Sequence, residues 1–184
     1  MGEIASQGQI RMAAFRWGIV LVPLILLLGL ASGRLSNSGY GNGWFASLIK
    51  PGFTPPGWMF GVAWTALYLM MGIALVIVVG ARGARLRRAA ILAFAAQLML
   101  NLAWSPLFFA AHRIWPAFAL ILCILAMAAV TTLYFWRIRR IAGLLMLPYL
   151  AWLCFAAALN FGIGRLNPDA GALAQGVVPS QITA

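Results

Sequence analysis

Three helical stripes of rings and amides hold the residues of this chain whose types and spacing could do chemistry. Gln97, Asn101 and Ser105 recur at i, i+4 and i+8, with Trp104 and Phe108 on nearly the same face. Trp64 and Tyr68 stand four residues apart with Thr65 beside them, and Trp152, Ala156 and Asn160 repeat that spacing. Residues so spaced share one face of a helix. An unpaired amide in an apolar interior is costly, so these stripes must face other helices or a cavity. One use is hydrogen bonding between helices that holds a bundle together. The other is a mostly apolar pocket with a few orienting polar groups, where a flat aromatic ligand could stack on the indoles. The spacing alone leaves the two open.

Other chemistries find no residues. The two acidic side chains, Glu3 and Asp169, lie near the termini, so no carboxylate relay can run through the apolar segments. His112 stands beside Arg113 at the end of an apolar run and reads as an interfacial residue. No metal-ligand cluster, nucleophile–base pair or phosphate loop is visible. No metal and no obligatory cofactor is therefore expected, and hydrolysis, phosphoryl transfer and carboxylate-driven proton coupling are disfavoured. Cys123 and Cys154 fall inside apolar runs and read as small buried hydrophobes.

The elements that carry these stripes must be membrane helices. The 184 residues are 64% hydrophobic and 8% charged, against about 25% charged in an ordinary soluble domain. A spanning helix needs about 20 apolar residues. Five runs qualify, at about 17–32, 58–80, 89–111, 115–136 and 141–163, and the last four contain no Asp, Glu, Lys or Arg. Lipid offers no partner to an open backbone, so each run is helical. The predicted fold is an all-α integral membrane protein, a five-transmembrane-helix bundle over 17–166. An N-terminal extension (1–16) precedes it and a flexible tail (167–184) follows. The first run, with Arg11 and Arg16 before it and Ala31, Ser32 and Gly33 at its end, also has the outline of a cleavable signal sequence.

The net charge of +11 does not point to nucleic acid, because the basic residues fall between apolar runs. With five helices, nine of them share the side of the N-terminus and four the other. The positive-inside rule then puts the N-terminus in the cytoplasm and the C-terminus outside. Trp17, Trp44, Trp58, Trp115, Tyr134 and Trp136 sit near run ends, where an aromatic belt is the plain expectation. Pro106 and Pro148 interrupt the third and fifth runs and should bend them, each freeing a carbonyl. Gly29 with Gly33 and Ala89 with Ala93 have small-residue spacing suited to self-association.

One connection stands apart. The loop at 33–56 is long and rich in Gly, Ser, Asn and Pro, and it feeds rings into the second helix. Long loops in compact proteins are often functional. Lys50, Pro51, Phe53, Pro55, Pro56 and Trp58 read as a lid or entrance, with Pro55 and Pro56 suited to the approach to a helix and its first turn.

The segments KPGFTPPGWMFGVAWTALYLMMG, QLMLNLAWSPLFF, PYLAW and LNFGIGRLN, in that order, resemble the tryptophan-rich sensory protein / translocator protein family, also known as the peripheral-type benzodiazepine receptor family. The resemblance covers about 48–167 and implies five retained helices and, commonly, a homodimer. It implies a cavity among the helices that binds porphyrins and haem-related tetrapyrroles, closed by the long first loop. Trp64 and Trp152 match the family's pocket tryptophans and Asn101 its pocket asparagine, with Ser105 a turn on and Tyr68 and Ala156 at further lining positions. Some members are reported to promote light-dependent breakdown of protoporphyrin with those tryptophans, and some bind cholesterol. Gly52 stands where many bacterial members carry an aromatic residue, and Gly164 where a Trp is usual. Phe161 replaces the Tyr of the sterol pattern ahead of Arg165, which weakens the case for cholesterol. The resemblance therefore implies a membrane receptor, sensor or carrier for tetrapyrroles, with a light-dependent porphyrin-degrading enzyme as the second reading and a small-molecule or sterol transporter as the third.

Overall fold

The computed structural model describes residues 7–170, and these are helical almost throughout. Five helices are long and apolar enough to cross a membrane. They are α1 (Gln7–Leu35), α3 (Gly57–Gly80), α4 (Arg87–Ser105), α5 (Ile114–Ile138) and α6 (Arg140–Leu166), with a short α2 (Gly43–Ser47) inside the first loop. The protein is an all-α, multi-pass membrane bundle.

The helices close a ring in the order α1, α3, α6, α5, α4, with α4 touching α1 and α3 as well. The lower half of the ring is solid. Met71, Ala74 and Val78 of α3 meet Phe94 of α4, Phe135 of α5 and Met146 of α6, all fully or almost fully buried. Phe94 and Phe135 stack with centroids 5.8 Å apart. The α3–α4 turn closes on itself, since Arg87 Nε donates to the Val79 carbonyl at the end of α3 (3.0 Å) and satisfies a group the helix leaves open. α5 and α6 are joined by Arg139 alone. Gly143 makes that turn feasible, because a Cβ there would lie 2.7 Å from the Trp136 ring.

α1 is longer than the apolar run that announces it. It begins at Gln7 and continues through Pro23, so part of the expected N-terminal extension is helix. It lies along α3, with Ile25 buried and Gly72 of α3 against Val22. The signal-like run is thus a structural wall of the bundle. Gly29 of the small-residue pair is also used inside the chain, since a Cβ on it would overlap the Tyr68 ring. α1 ends in a Schellman turn: Asn37 takes φ 49°, Ser38 N–H donates to Gly33 O (2.9 Å) and Asn37 N–H to Arg34 O (3.1 Å).

Several expectations are corrected at the surface. Cys123 and Cys154 are exposed free thiols rather than buried hydrophobes. Trp17, Trp115 and Trp136 are about half exposed near helix ends, but Trp44 is buried and donates its indole N–H to the Ala170 carbonyl (3.0 Å). Asn167 and Ala170, expected in the flexible tail, are both buried, with Pro168 and Asp169 exposed between them. Residues 171–184 lie outside the described residues.

Candidate functional site

The upper half of the ring is hollow. A cavity of about 390 Å³ opens there, within the range of small-molecule sites, with walls from α1, α3, α4, α5 and α6 and a roof from the first loop. Its ring-bearing walls are built by the stripes. Trp64 lies on Tyr68 with centroids 5.2 Å apart and planes 27° from parallel. Trp152 meets Trp64 edge-on at 6.4 Å and Phe60 at 5.9 Å. Across from them Trp104 stacks on Phe108 at 5.1 Å. Ala156 and Leu153 of α6 and Ile121 and Ile124 of α5 complete the apolar lining. Tyr68 stays in place because Gly29 leaves space for its ring.

The floor is polar and tied. Tyr68 Oη donates to Asn101 Oδ1 (2.8 Å), Asn101 Nδ2 donates to Tyr149 Oη (3.0 Å), and Tyr149 Oη donates to Gln97 Oε1 (2.9 Å). One chain of hydrogen bonds thus links α3, α4 and α6 where an unpaired group would be costly. Of the ring, amide and small residues that the three stripes offered, Trp64, Tyr68, Asn101, Trp104, Ser105, Phe108, Trp152 and Ala156 line the cavity. Gln97 does not. It is fully buried beneath the floor, one turn below Asn101, where it holds Tyr149.

Sequence reasoning missed Tyr149. It stands in PYLAW three residues before Trp152, and is wholly buried. Its proximity to a recognised ring position was the available signal. Asn160, the last member of the α6 stripe, also lines the cavity. With its amide turned to suit its neighbours, it donates to Ile114 O (3.2 Å) and accepts from Phe118 N–H (3.1 Å), pinning α6 to the first turn of α5.

The roof differs from the predicted lid. Asn37, Ser38, Gly39, Tyr40, Phe45 and Gly57 face the cavity, whereas Lys50, Pro51, Phe53, Pro55, Pro56 and Trp58 do not. Pro51 seats on Gly162 of α6, where a Cβ would be 2.6 Å from its ring, and Phe53 meets Phe155 edge-on at 6.2 Å. Lys50 Nζ donates to the Leu48 carbonyl (2.9 Å) and lies 4.7 Å from the Phe45 ring centroid. Burial lowers its pKa from the ordinary lysine value. Trp58 is two-thirds exposed. This segment is a strap over the outside of α6, and the roof proper is the stretch before it.

Side-chain amides fasten that roof. Asn42 caps α2 by accepting from Phe45 N–H (3.0 Å) and donates to the Phe109 carbonyl (3.1 Å). Asn167 grips Ile49 from both sides, accepting from its N–H and donating to its carbonyl, each at 2.8 Å. Pro106 opens α4 into a wide turn, Pro106–Ala110, with Ala111 N–H donating to Pro106 O (2.9 Å). The carbonyl that Pro106 leaves without a helical donor, Leu102 O, accepts from Ser32 Oγ of α1 (2.7 Å). That carbonyl thus has a donor from within the chain. Gly164 is covered by the Trp115 indole, 3.1 Å from a notional Cβ, so a ring from α5 occupies the space beside that departure from the family pattern. Among the described residues no group of His, Cys, Asp and Glu could hold a metal ion.

A five-helix membrane bundle enclosing a ring-lined cavity under a fastened loop is the class of protein these features define. The TspO/MBR family profile matches residues 19–166, and the chain belongs to that family. It is 35% identical over 139 residues to protein CrtK of Rhodobacter capsulatus, covering 75% of this chain and 85% of that one. It is 40% identical to the tryptophan-rich protein TspO of Chlorobaculum tepidum, covering 68% of this chain and 80% of that protein. It is 36% identical to the human translocator protein, covering 82% and 88%.

Proposed function

We propose that this protein is a membrane receptor or carrier whose cavity binds a porphyrin or related tetrapyrrole. The single observation that carries the reading is the cavity's composition: three indoles, Trp64, Trp104 and Trp152, in its walls and the Tyr68–Asn101 pair in its floor. Stacking on indole faces suits a large flat ring, and few polar groups suffice to orient it. Protoporphyrin IX should quench tryptophan fluorescence saturably in detergent or lipid. Trp152→Phe and Asn101→Ala should each weaken binding about tenfold, in line with the loss of one well-placed contact. Absence of saturable quenching would sink the reading.

The edge contact of Trp64 and Trp152 at 6.4 Å favours a second reading, light-dependent degradation of the bound porphyrin. A light-versus-dark absorbance time course on wild type and the Trp64→Phe and Trp152→Phe variants separates the two. Under the receptor reading the light-driven change is no faster with the protein than with the porphyrin alone. Equal product from wild type and variants would reduce the indoles to a stacking platform.

The same reading takes the loop end as external and the arginine-rich end as cytoplasmic. A Ser38→Cys variant with Cys123 and Cys154 replaced by Ala should then react with impermeant thiol reagents from outside. A homodimer belongs to this reading through the family resemblance, and a mass measurement in detergent tests it.

A further inference from the structure

The end of the bundle away from the long loop is rich in arginine. The α3–α4 turn and the start of α4 carry Arg82, Arg85 and Arg88, and the α5–α6 turn carries Arg137, Arg139 and Arg140, all six exposed. The stack of Phe94 on Phe135 sets the start of α4 beside the end of α5, so the two turns are neighbours. Both turns are held in shape. Arg87 spends its Nε on the Val79 carbonyl, and Arg139 alone links two helices. Among the described residues the single acidic side chain, Asp169, lies at the opposite end, next to the Ala170 carbonyl that Trp44 holds. Six guanidiniums thus stand together with no carboxylate of the described residues to answer them.

Three of the six share a further regularity. Arg88 stands four residues before Leu92 on α4, Arg137 four after Leu133 on α5, and Arg140 four before Leu144 on α6. Residues so spaced lie on one helix face, and these leucines are 66%, 61% and 49% exposed. Each of three helices therefore shows a guanidinium one turn beyond an exposed apolar side chain. A signal for orientation in the membrane is written equally well with lysine or arginine. Yet every basic residue at this end is arginine, and the chain's one lysine, Lys50, is in the first loop. What sets arginine apart is a planar fork that meets a phosphate through two hydrogen bonds.

We propose that this end of the bundle docks acidic phospholipid, with the headgroup phosphate on the arginines of the two turns and the acyl chains along Leu92, Leu133 and Leu144. An anionic lipid supplies the negative charge that the described residues lack here. A phosphatidylcholine brings the same phosphate together with a cation that the guanidiniums repel. The surface therefore selects by headgroup, while the leucines hold the chains of either lipid.

The test is native mass spectrometry of the full chain released from mixed micelles holding equal amounts of dioleoyl-phosphatidylglycerol and dioleoyl-phosphatidylcholine, whose chains are identical. Wild type should retain phosphatidylglycerol about tenfold over phosphatidylcholine, the scale of one or two guanidiniums at a charged headgroup. The combined Arg88→Gln, Arg137→Gln and Arg140→Gln variant should retain the two lipids about equally while unfolding at the wild-type temperature. The corresponding triple lysine variant keeps the charge that guides insertion but loses the fork, so its preference should fall to about threefold. Arg113→Gln with Arg165→Gln, at the loop end, should leave the preference unchanged. Equal retention by wild type, or a preference that survives in the triple glutamine variant, overturns the proposal. So does a lysine variant with the full wild-type preference, since charge alone would then account for it. Glycerol 1-phosphate, the headgroup phosphate without chains, is titrated in a parallel arm. If it competes as well as the whole lipid, the leucines hold nothing and the site is one for a free phosphate ester, which also overturns the proposal.

Discussion

The Tyr149 hydroxyl joins α6 to α4, accepting from Asn101 and donating to Gln97. Tyr149→Phe keeps the ring and removes both bonds, leaving two buried amides short of a partner. The expected cost is about 1–3 kcal/mol, read as a lowered unfolding temperature in detergent. Gly29→Val should be worse for the site than for the fold. It displaces the Tyr68 ring, costs about 1–3 kcal/mol as overpacking does, and removes the donor to Asn101 Oδ1, so porphyrin binding should drop by more than in Tyr68→Phe. Parallel titrations of the two variants check this. Trp64, Asn101 and Trp152 were legible in the sequence because polar and ring residues at helical spacing in an apolar run have few places to go. Tyr149 was not, since it belongs to none of the stripes from which the site was read. Gln97 stood in the same stripe as the cavity residues because spacing cannot tell a cavity wall from the residue one turn beneath it.

At the scale of elements, α4 is the part whose irregularity is used. Its wide turn at Pro106 carries Phe108 and Phe109 into the packing around α2, and the Phe109 carbonyl receives the Asn42 amide. The carbonyl left open by Pro106 is answered by Ser32. Ser32→Ala should therefore cost about 1 kcal/mol in the wild-type background. In a Pro106→Ala background, where the helix can supply its own donor, it should cost measurably less. A double-mutant cycle on unfolding free energy gives the coupling, and a zero coupling would detach Ser32 from the break. The five long helices were readable because length and apolarity leave no alternative in lipid. α2 was not, for a five-residue helix has no period to detect, and its cap at Asn42 is one asparagine among several turn-forming residues. The start of α1 was misplaced because polar residues can extend a membrane helix into water without any apolar signal.

For the whole molecule, the two ends of the bundle differ in how they are closed. One end is closed by short connections, including the single residue Arg139. The other is closed by a long loop held through Asn42, Asn167 and the Trp44–Ala170 contact. Asn167→Ala should release Ile49 and speed porphyrin dissociation several-fold, with a smaller effect on unfolding temperature, because two hydrogen bonds to the roof are lost while the helices keep their packing. Stopped-flow recovery of tryptophan fluorescence after ligand competition measures it; an unchanged off-rate would make the Asn167 grip purely structural. Orientation and pairing of copies were argued from charge and resemblance, and neither is a property that one chain's packing encodes.

The hydrogen-bonded floor from Tyr68 to Gln97 has a bearing on traffic through the membrane. Below it the bundle is filled by Met71, Phe94, Phe135 and Met146, so the hollow ends at that floor. A route from the hollow to the opposite end of the bundle would have to run through that floor and the packed side chains beneath it. Vectorial passage would require the floor itself to come apart, at the expense of the bonds that fix the tyrosines.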